Sequence, residues 1–135
     1  MSEWNRQIVE EFRANDGRVG GPFEGRPLLL LHHRGARTGT LRVTPLMYQA
    51  VGAGYAIFAS KGGADTNPDW YHNLLAHPET EVEVGSETVS VTARLAAGSE
   101  YDTIWTRQKS DYPFFAEYEQ QTRRDHIPVL VLEPR

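Results

Sequence analysis

The sequence contains no cysteine, and its 135 residues carry a formal net charge of −4. The absence of cysteine excludes disulfides, thiolate nucleophiles and cysteine-bound metals, and it agrees with a reducing compartment. No apolar run is long enough to span a bilayer and no apolar leader opens the chain, so we expect a cytoplasmic protein. A mildly acidic chain has no general attraction to nucleic acid. The length suits one domain with one core, over residues 1–135.

Motifs for metal binding, hydrolysis and dinucleotide binding are missing as well. His32 and His33 are adjacent in a predicted strand and should point to opposite faces, while His72 and His77 stand five residues apart on a short predicted helix. Ser60 lies outside the G-x-S-x-G turn of serine hydrolases. P-loop and dinucleotide fingerprints are absent. We therefore predict no metal centre and no nucleophilic triad, which leaves a ligand-binding site as the main candidate.

Short apolar segments alternate with turn residues along the chain. The unbroken apolar character of 28–33 predicts a strand that is buried on both faces. Pro45 interrupts the following strand, which indicates an edge, a bulge or a point of ligand contact. Gly85 and Ser86 suit a two-residue hairpin turn. The predicted strands are 28–33, 41–51, 55–60, 81–84, 87–96 and 127–132.

Four helical segments are predicted around these strands, at 2–14, 68–77, 99–109 and 112–124. The first three have candidate caps, namely Ser2, Asn67 and a capping box of Ser99 with Asp102. Helical spacing places one apolar face on the first helix, formed by Trp4, Ile8, Val9 and Phe12. Antiparallel meanders dominate and regular strand–helix–strand units are absent. We therefore predict a mainly β (α+β) protein, a closed or split antiparallel β-barrel with short peripheral helices.

The turn after the first predicted strand has the composition of an anion site. Its arginines and glycines are Arg34, Arg37, Arg42, Gly35 and Gly39. Glycine lets backbone N–H groups converge, and a guanidinium supplies a planar fork for phosphate or carboxylate oxygens. An ordinary solvated turn with surface arginines accounts for the same composition equally well.

Two further segments complete a candidate binding constellation. The run 60–63 ends in two glycines, which permit close backbone approach to a planar ligand. The run 67–73 combines the expected start of a helix with aromatic residues. With the arginine turn, these segments predict a long ligand that has an anionic part and a flat part.

In this order the motifs resemble the deazaflavin-dependent nitroreductase family of actinobacteria, over nearly the whole chain. The residues that carry the resemblance are Arg34-Gly35-Ala36-Arg37-Thr38-Gly39, Arg42, Pro45-Leu46, Ala59-Ser60-Lys61-Gly62-Gly63, Asn67-Pro68-Asp69-Trp70-Tyr71-His72-Asn73-Leu74 and Pro78. The ordered set is specific, whereas the G-x-[RK]-[ST]-G turn alone is not. The resemblance implies a split β-barrel of the FMN-binding kind. It also implies coenzyme F420, an 8-hydroxy-5-deazaflavin with a phospholactyl-oligoglutamate tail.

The resemblance also assigns roles on the cofactor side. The arginine turn, through Arg34, Arg37, Thr38 and Gly39, would hold the cofactor phosphate, and Arg42 would help with the tail. Pro45 and Met47 would lie beside the deazaflavin ring. A backbone cradle for the pyrimidine end of the ring would be formed by Ser60, Lys61, Gly62 and Gly63. Trp70 and Asn73 would lie near the tail carboxylates.

On the substrate side, the resemblance implies that Tyr112, Phe115 and Tyr118 line the acceptor pocket. A hydroxyl of Ser60, Tyr112 or Tyr118 would then stabilise or protonate the reduced acceptor. Ordinary core packing is an equally good interpretation of the three aromatic residues, because aromatics at helical spacing are usually structural.

The implied activity is hydride transfer from reduced F420 to a quinone, a nitro-aromatic or an activated enone. An FMN-dependent split-barrel oxidoreductase is an alternative, since it also needs an anion anchor. A non-enzymatic protein that carries F420 is another, because it would need the same site. A homodimer is compatible with the sequence. Contact with a membrane surface would be weak, because the basic residues of the first helix are outnumbered by its acidic ones.

Overall fold

Seven antiparallel strands form one sheet in the computed structural model, which describes residues 3–135. The strands are β1 (Leu28–Arg34), β2 (Leu41–Met47), β3 (Gln49–Val51), β4 (Gly54–Phe58), β5 (Glu79–Val84), β6 (Glu87–Leu95) and β7 (Val129–Pro134). The helices are α1 (Glu3–Ala14), α2 (Asp69–Ala76), α3 (Gly98–Asp111) and α4 (Phe114–Gln121). Single 3-10 turns lie at Gly21–Phe23 and Lys61–Gly63.

The connection between β2 and β3 explains the curvature of the sheet. The strand order is β2-β1-β5-β6-β7-β4-β3, so these two strands occupy opposite edges. Tyr48 alone separates them in the sequence. A single residue can join the two edges only if the sheet curls until they meet. The predicted split antiparallel barrel with peripheral helices is therefore confirmed.

The strand β1 is buried on both faces, as the sequence predicts. Leu29 and Leu31 belong to the cluster on the inner face of the curl, which also takes side chains from β4 to β7 and from α2. Leu28 and Leu30 point the other way and pack against Phe12 and its neighbours on α1. The period of two along a strand therefore assigns alternate leucines to two separate parts of the core.

A third cluster lies where α3 and α4 cover β4 and β7. Phe58 on β4 packs against Trp105 of α3 and Phe115 of α4, with ring centroids 5.9 Å and 5.5 Å away. The Trp105 and Phe115 rings also meet edge to face. These helices therefore bring the segment with Tyr112 and Tyr118 next to the end of β4.

Strand boundaries differ from the prediction mainly around Tyr48. The predicted strand 41–51 is two strands, because the chain passes there from one edge of the sheet to the other. Pro45 lies on the edge strand β2 and pairs with Leu30 in an unbroken register, so the edge interpretation is confirmed. The hairpin across Gly85 and Ser86 is confirmed, between β5 and β6.

Two predicted helix caps are wrong. The helix α3 begins at Gly98 and has no side-chain cap, so Ser99 and Asp102 form no capping box. Asn67 does not cap α2, because its side chain accepts a hydrogen bond from Arg124 instead. Tertiary contacts have replaced the local capping pattern in this case. The predicted cap Ser2 lies outside the described residues.

Two other helical predictions need correction. The predicted segment 112–124 is helical only over Phe114–Gln121, with Tyr112 at the C-cap of α3 and Pro113 before α4. Trp4 is 57% exposed instead of lying in the core, and it contacts Phe23. Among the described residues, no helix is both long and apolar enough to cross a membrane.

Candidate functional site

The anion turn, residues 35–39, is closed by backbone hydrogen bonds. Gly35 N–H donates to Thr40 O at 2.9 Å, and Gly39 N–H donates to Gly35 O at 2.8 Å. Gly39 has a φ of 71°, a conformation that glycine adopts without steric cost. A Cβ atom on Gly35 would lie 2.6 Å from Thr38 Oγ1. Gly39 therefore suits the left-handed backbone of the turn, and a side chain at Gly35 would require the Thr38 side chain to move.

An open depression of about 580 Å³ lies beside this turn. It is lined by Gly35, Ala36, Arg37, Thr38, Arg42, Asp69, His72 and Asn73. Within residues 3–135, the exposed guanidinium groups of Arg37 and Arg42 have no hydrogen bond and no ion pair. Two unpaired arginines against one carboxylate, that of Asp69, make the depression attractive to an anion.

A buried chain of hydrogen bonds holds the turn against α2 and the sheet. The backbone N–H of Ala36 donates to Asn73 Oδ1 at 2.9 Å. Asn73 Nδ2 lies 2.9 Å from His33 Nδ1, and His33 Nε2 lies 2.8 Å from Thr44 Oγ1. Asn73 and His33 are both buried. The chain therefore ties the anion turn to α2, β1 and β2.

The His33 ring is neutral in this arrangement. Burial, together with the nearby Arg42 guanidinium, lowers the pKa of His33 to about 4. With Asn73 Nδ2 as the donor, Nδ1 accepts and Nε2 carries the proton that is donated to Thr44. The sequence predicts that His32 and His33 point to opposite faces, and this is confirmed, since His32 bonds Glu83 on β5 instead.

The turn at 61–63 has three consecutive residues with positive φ. The values are 48° for Lys61, 64° for Gly62 and 86° for Gly63. A non-glycine residue there stores strain that its surroundings must offset, and Lys61 Nζ donates to Thr66 Oγ1 at 3.1 Å. In the described part of the chain, the N–H groups of Lys61 and Gly62 donate to no protein acceptor. They are free to donate to a ligand.

This turn packs directly against α4. A Cβ atom on Gly63 would lie 3.1 Å from Tyr118 Cα, so the glycine permits a close approach of the two segments. The guanidinium of Arg124, beyond the end of α4, donates to the carbonyl oxygens of Ala59 and Ser60. Sequence reasoning missed Arg124, because its acceptors lie more than 60 residues earlier and no local pattern indicates them.

The candidate substrate residues are split between core and surface. Phe115 is 4% exposed and packs among Phe58 and Trp105. Tyr112 and Tyr118 are half-buried, and within residues 3–135 their hydroxyls have no hydrogen-bond partner. The two tyrosines can therefore offer hydroxyls to a small molecule, whereas Phe115 supports the helix.

The remaining candidate residues also range from buried to exposed. Pro45 and Met47 are half-buried on the edge strand β2. Trp70 is 6% exposed within the inner cluster, next to Leu74. Arg34 is exposed and contacts the turn through Gly39 O, at 3.5 Å. Among the described residues, no group of three or more His, Asp or Glu side chains is placed to hold a metal ion.

Comparison with known proteins decides the family. The sequence profile described as F420H(2)-dependent quinone reductase matches residues 4–134. The chain belongs to this family. The F420H(2)-dependent quinone reductase Rv1261c of Mycobacterium tuberculosis is 39% identical over 128 residues, which cover 92% of this chain and 85% of that protein. The putative F420H(2)-dependent quinone reductase Rv3178 of the same organism is 37% identical over 119 residues, covering 87% and 99%.

Solved structures agree with the sequence comparison. The F420-H2 dependent reductase FDR-A is 38% identical, with a TM-score of 0.72 over 80% of this chain and 95% of that one. A chain solved as a domain-swapped dimer is 35% identical, with a TM-score of 0.74 over 97% and 98%. The predicted F420-dependent family and split-barrel fold are therefore confirmed, and the narrower likeness to nitroreductases stays a prediction.

Proposed function

We propose that this protein passes a hydride from reduced F420 to a quinone, and that nitro-aromatics and activated enones serve as further acceptors. The observation that carries the proposal is the pair Arg37 and Arg42, whose guanidinium groups have no partner within residues 3–135 and lie beside a glycine-bearing turn at one shared depression. Asp69 is the one acidic residue that lines this depression in the described part of the chain. Two free guanidinium groups at one concave place suit a ligand with phosphate and carboxylate groups.

The anionic part of F420 fits this depression. Arg37, Thr38 and the backbone N–H groups of these two residues, which have no acceptor within residues 3–135, would hold the phosphate, and Arg42 would meet the tail carboxylates. Asn73 would act through the turn, because its amide oxygen already holds Ala36 and its nitrogen already faces His33. Trp70, inside the core, would fix the position of α2.

The flat part would lie between β2 and the turn at 61–63. The N–H groups of Lys61 and Gly62, which have no acceptor among residues 3–135, are the donors that the carbonyl oxygens of a pyrimidine ring require. Half-buried Pro45 and Met47 offer an apolar surface to the ring. Ser60 stands at the start of the same turn, with its hydroxyl free of partners among residues 3–135.

The protein itself would supply orientation and a proton. The bound deazaflavin supplies a hydride, so the chain needs no nucleophile or metal of its own. A quinone that accepts a hydride develops negative charge on oxygen, and it becomes a hydroquinone on gaining a proton. The hydroxyls of Tyr118, Tyr112 and Ser60, which have no partner in the described part of the chain, are the groups that would stabilise that charge or deliver the proton.

Acceptor-dependent oxidation of reduced F420 is the direct test of this activity. The protein should oxidise reduced F420 when menadione is added, and a nitro-aromatic should serve as a second, independent acceptor. Oxidation with menadione and none with the nitro-aromatic would restrict the proposal to quinones. Tight binding of F420 without acceptor-dependent oxidation would favour a carrier and contradict the enzyme.

The proposal extends to assembly and location. A relative solved as a domain-swapped dimer supports a homodimer, which light scattering coupled to size-exclusion chromatography would detect. A transient contact with a membrane surface would use the exposed Trp4 on α1. That contact should be weak, because Arg6 and Arg13 are already paired with Glu3 and Glu83. Vesicle flotation with anionic lipid, comparing wild type with Trp4→Ala, would test it.

A further inference from the structure

Arg124 occupies an unusual position for a charged side chain. Its Nη1 donates to Ala59 O at 2.8 Å and its Nη2 donates to Ser60 O at 2.9 Å. Nη1 also donates to Asn67 Oδ1, and Nε donates to Thr122 Oγ1. One guanidinium therefore binds the end of β4, the segment just before α2 and its own turn.

The acceptors of Arg124 are all uncharged, and within residues 3–135 the guanidinium forms no ion pair. Burial lowers the pKa of Arg124, and the charge of Asp65 offsets part of this effect. Desolvating a guanidinium without a carboxylate contact costs free energy. A planar fork is nevertheless the side chain that can reach two successive carbonyls and an amide oxygen at once.

Residues 122 and 123, next to Arg124, also bind the loop between Ser60 and Asn67. Thr122 Oγ1 donates to Ala64 O at 2.7 Å, and the backbone N–H of Arg123 donates to Asp65 Oδ1 at 2.9 Å. The whole run from 59 to 67 is therefore clamped by residues 122–124. Because this clamp follows α4 directly, it also fixes Tyr118 relative to the loop.

The strained turn at 61–63 lies inside the clamped run. Three consecutive positive φ values are unfavourable for an isolated chain, above all at Lys61. The turn starts at Ser60, whose carbonyl accepts both from Gly63 N–H and from Arg124. Arg124 thus holds the entry to the strained turn, and through Asn67 it holds the approach to α2.

We infer that Arg124 is a positioning residue that keeps the two halves of the cofactor site, the turn at 61–63 and the start of α2, in register. This inference rests on the proposed F420 site. Arg124 would contact neither cofactor nor acceptor. Its effect would be to hold the donors for the ring at a fixed distance from the anion depression, so that one ligand can meet both.

The test is equilibrium binding of oxidised F420, followed by fluorescence, to wild type and to Arg124→Lys. Lysine keeps the charge and loses the fork. Because lysine cannot reach Ala59 O, Ser60 O and Asn67 Oδ1 at once, the ring donors should lose their fixed position, and the dissociation constant for F420 should rise about tenfold in Arg124→Lys, which corresponds to about 1.4 kcal/mol. Inorganic phosphate, titrated by phosphorus NMR, should bind both proteins equally, because the anion turn lies outside the clamped run. A general loss of structure would weaken both ligands.

Arg123→Lys is the matched control. The Arg123 side chain is 88% exposed, and its Nε lies 3.8 Å from Asp65 Oδ2, which is too far for a hydrogen bond. It should bind F420 as wild type does. A folded Arg124→Lys with unchanged F420 affinity would overturn the inference, as would an equal loss in Arg123→Lys. If Arg124→Lys does not fold, Asn67→Ala decides, because it removes the link to α2 alone. Its F420 affinity should fall several-fold, and an unchanged value would overturn the inference.

Failure of the proposed function has a different signature. Wild-type protein that binds phosphate but not F420 would contradict the proposed function, and the inference would fall with it. Wild-type protein that binds F420 with the same affinity as the folded variants would leave the proposed function intact and contradict the role of Arg124.

Discussion

Protonation of His33 should destabilise the fold, and His33→Gln should remove this pH dependence. Folded His33 has a pKa of about 4, against an ordinary value of 6.5 in the unfolded chain. Between these values the unfolded chain binds a proton that the folded protein does not bind. Stability is therefore at its full value above pH 6.5 and is lost as the pH falls toward 4.

The size of the effect follows from the shift in the pKa of His33. Each pKa unit corresponds to about 1.4 kcal/mol, so a shift from 6.5 to about 4 corresponds to about 3 kcal/mol. A chain of 135 residues has an unfolding entropy of about 0.28 kcal/mol/K near its melting temperature. His33 alone should therefore lower the melting temperature by about 10 °C between pH 7 and pH 4.

The physical cause is the buried network at the anion turn. A proton on His33 Nδ1 would face the amide nitrogen of Asn73, which is also a donor. Rotation of the Asn73 amide would restore that bond but would leave the N–H of Ala36 without its acceptor. We therefore expect low pH to weaken the hydrogen bonds that hold the anion turn and, with them, to lower the stability of the fold.

Thermal melts at pH values from 7 to 4 would measure this effect. Glutamine keeps one donor and one acceptor without titrating, so the difference in melting temperature between wild type and His33→Gln should shrink as the pH falls. The exposed His77 offers a matched control, and melts of His77→Gln should run parallel to wild type. A wild-type advantage over His33→Gln that stays constant from pH 7 to 4 would refute the reasoning.

Three further substitutions test separate parts of the account. Arg37→Ala should weaken F420 binding by about 1.5–3 kcal/mol, the value of a charged hydrogen bond, while thermal melts stay unchanged because the side chain is exposed; unaltered affinity would contradict the anion site. Phe115→Ala should lower the free energy of unfolding in urea by about 3–5 kcal/mol, because the ring is 4% exposed in the core; a loss below about 1 kcal/mol would contradict that packing. Tyr118→Phe should slow turnover with menadione while F420 affinity stays nearly unchanged; kinetics equal to wild type would assign Tyr118 to packing.

Secondary structure was predictable where local chemistry decides it. The apolar run at the start of β1 is long enough to require burial on both faces, and both faces are buried. Gly85 and Ser86 set a tight hairpin on their own. The break at Tyr48 was not predictable, because it depends on how far the whole sheet curls.

Helix caps failed where a distant residue competes for the capping side chain. Asn67 has the right chemistry for a cap, yet its acceptor is taken by Arg124, 57 positions later. Local sequence cannot indicate such competition. Pro68 instead precedes the first residue of α2 without any side-chain cap.

The sequence predicted which residues lie at the candidate site better than it predicted what each of them contacts. Of the predicted residues, Arg37, Thr38, Arg42 and Asn73 line one depression, whereas Arg34 and Gly39 are not among its lining residues. The sequence did not reveal that Asn73 is occupied by Ala36 and His33, because that depends on the packing of α2 against β1. Nor did it distinguish Phe115 in the core from the half-buried Tyr118, since both fit the same helical spacing.

Paired titrations with F420 and with FMN test the central claim most directly. Both ligands offer a flat ring and a phosphate, and only F420 carries the oligoglutamate tail that Arg42 would meet. The account predicts at least tenfold tighter binding of F420, which requires about 1.4 kcal/mol from the tail. Equal affinities, or FMN that remains bound through purification, would contradict it and favour an FMN-dependent enzyme.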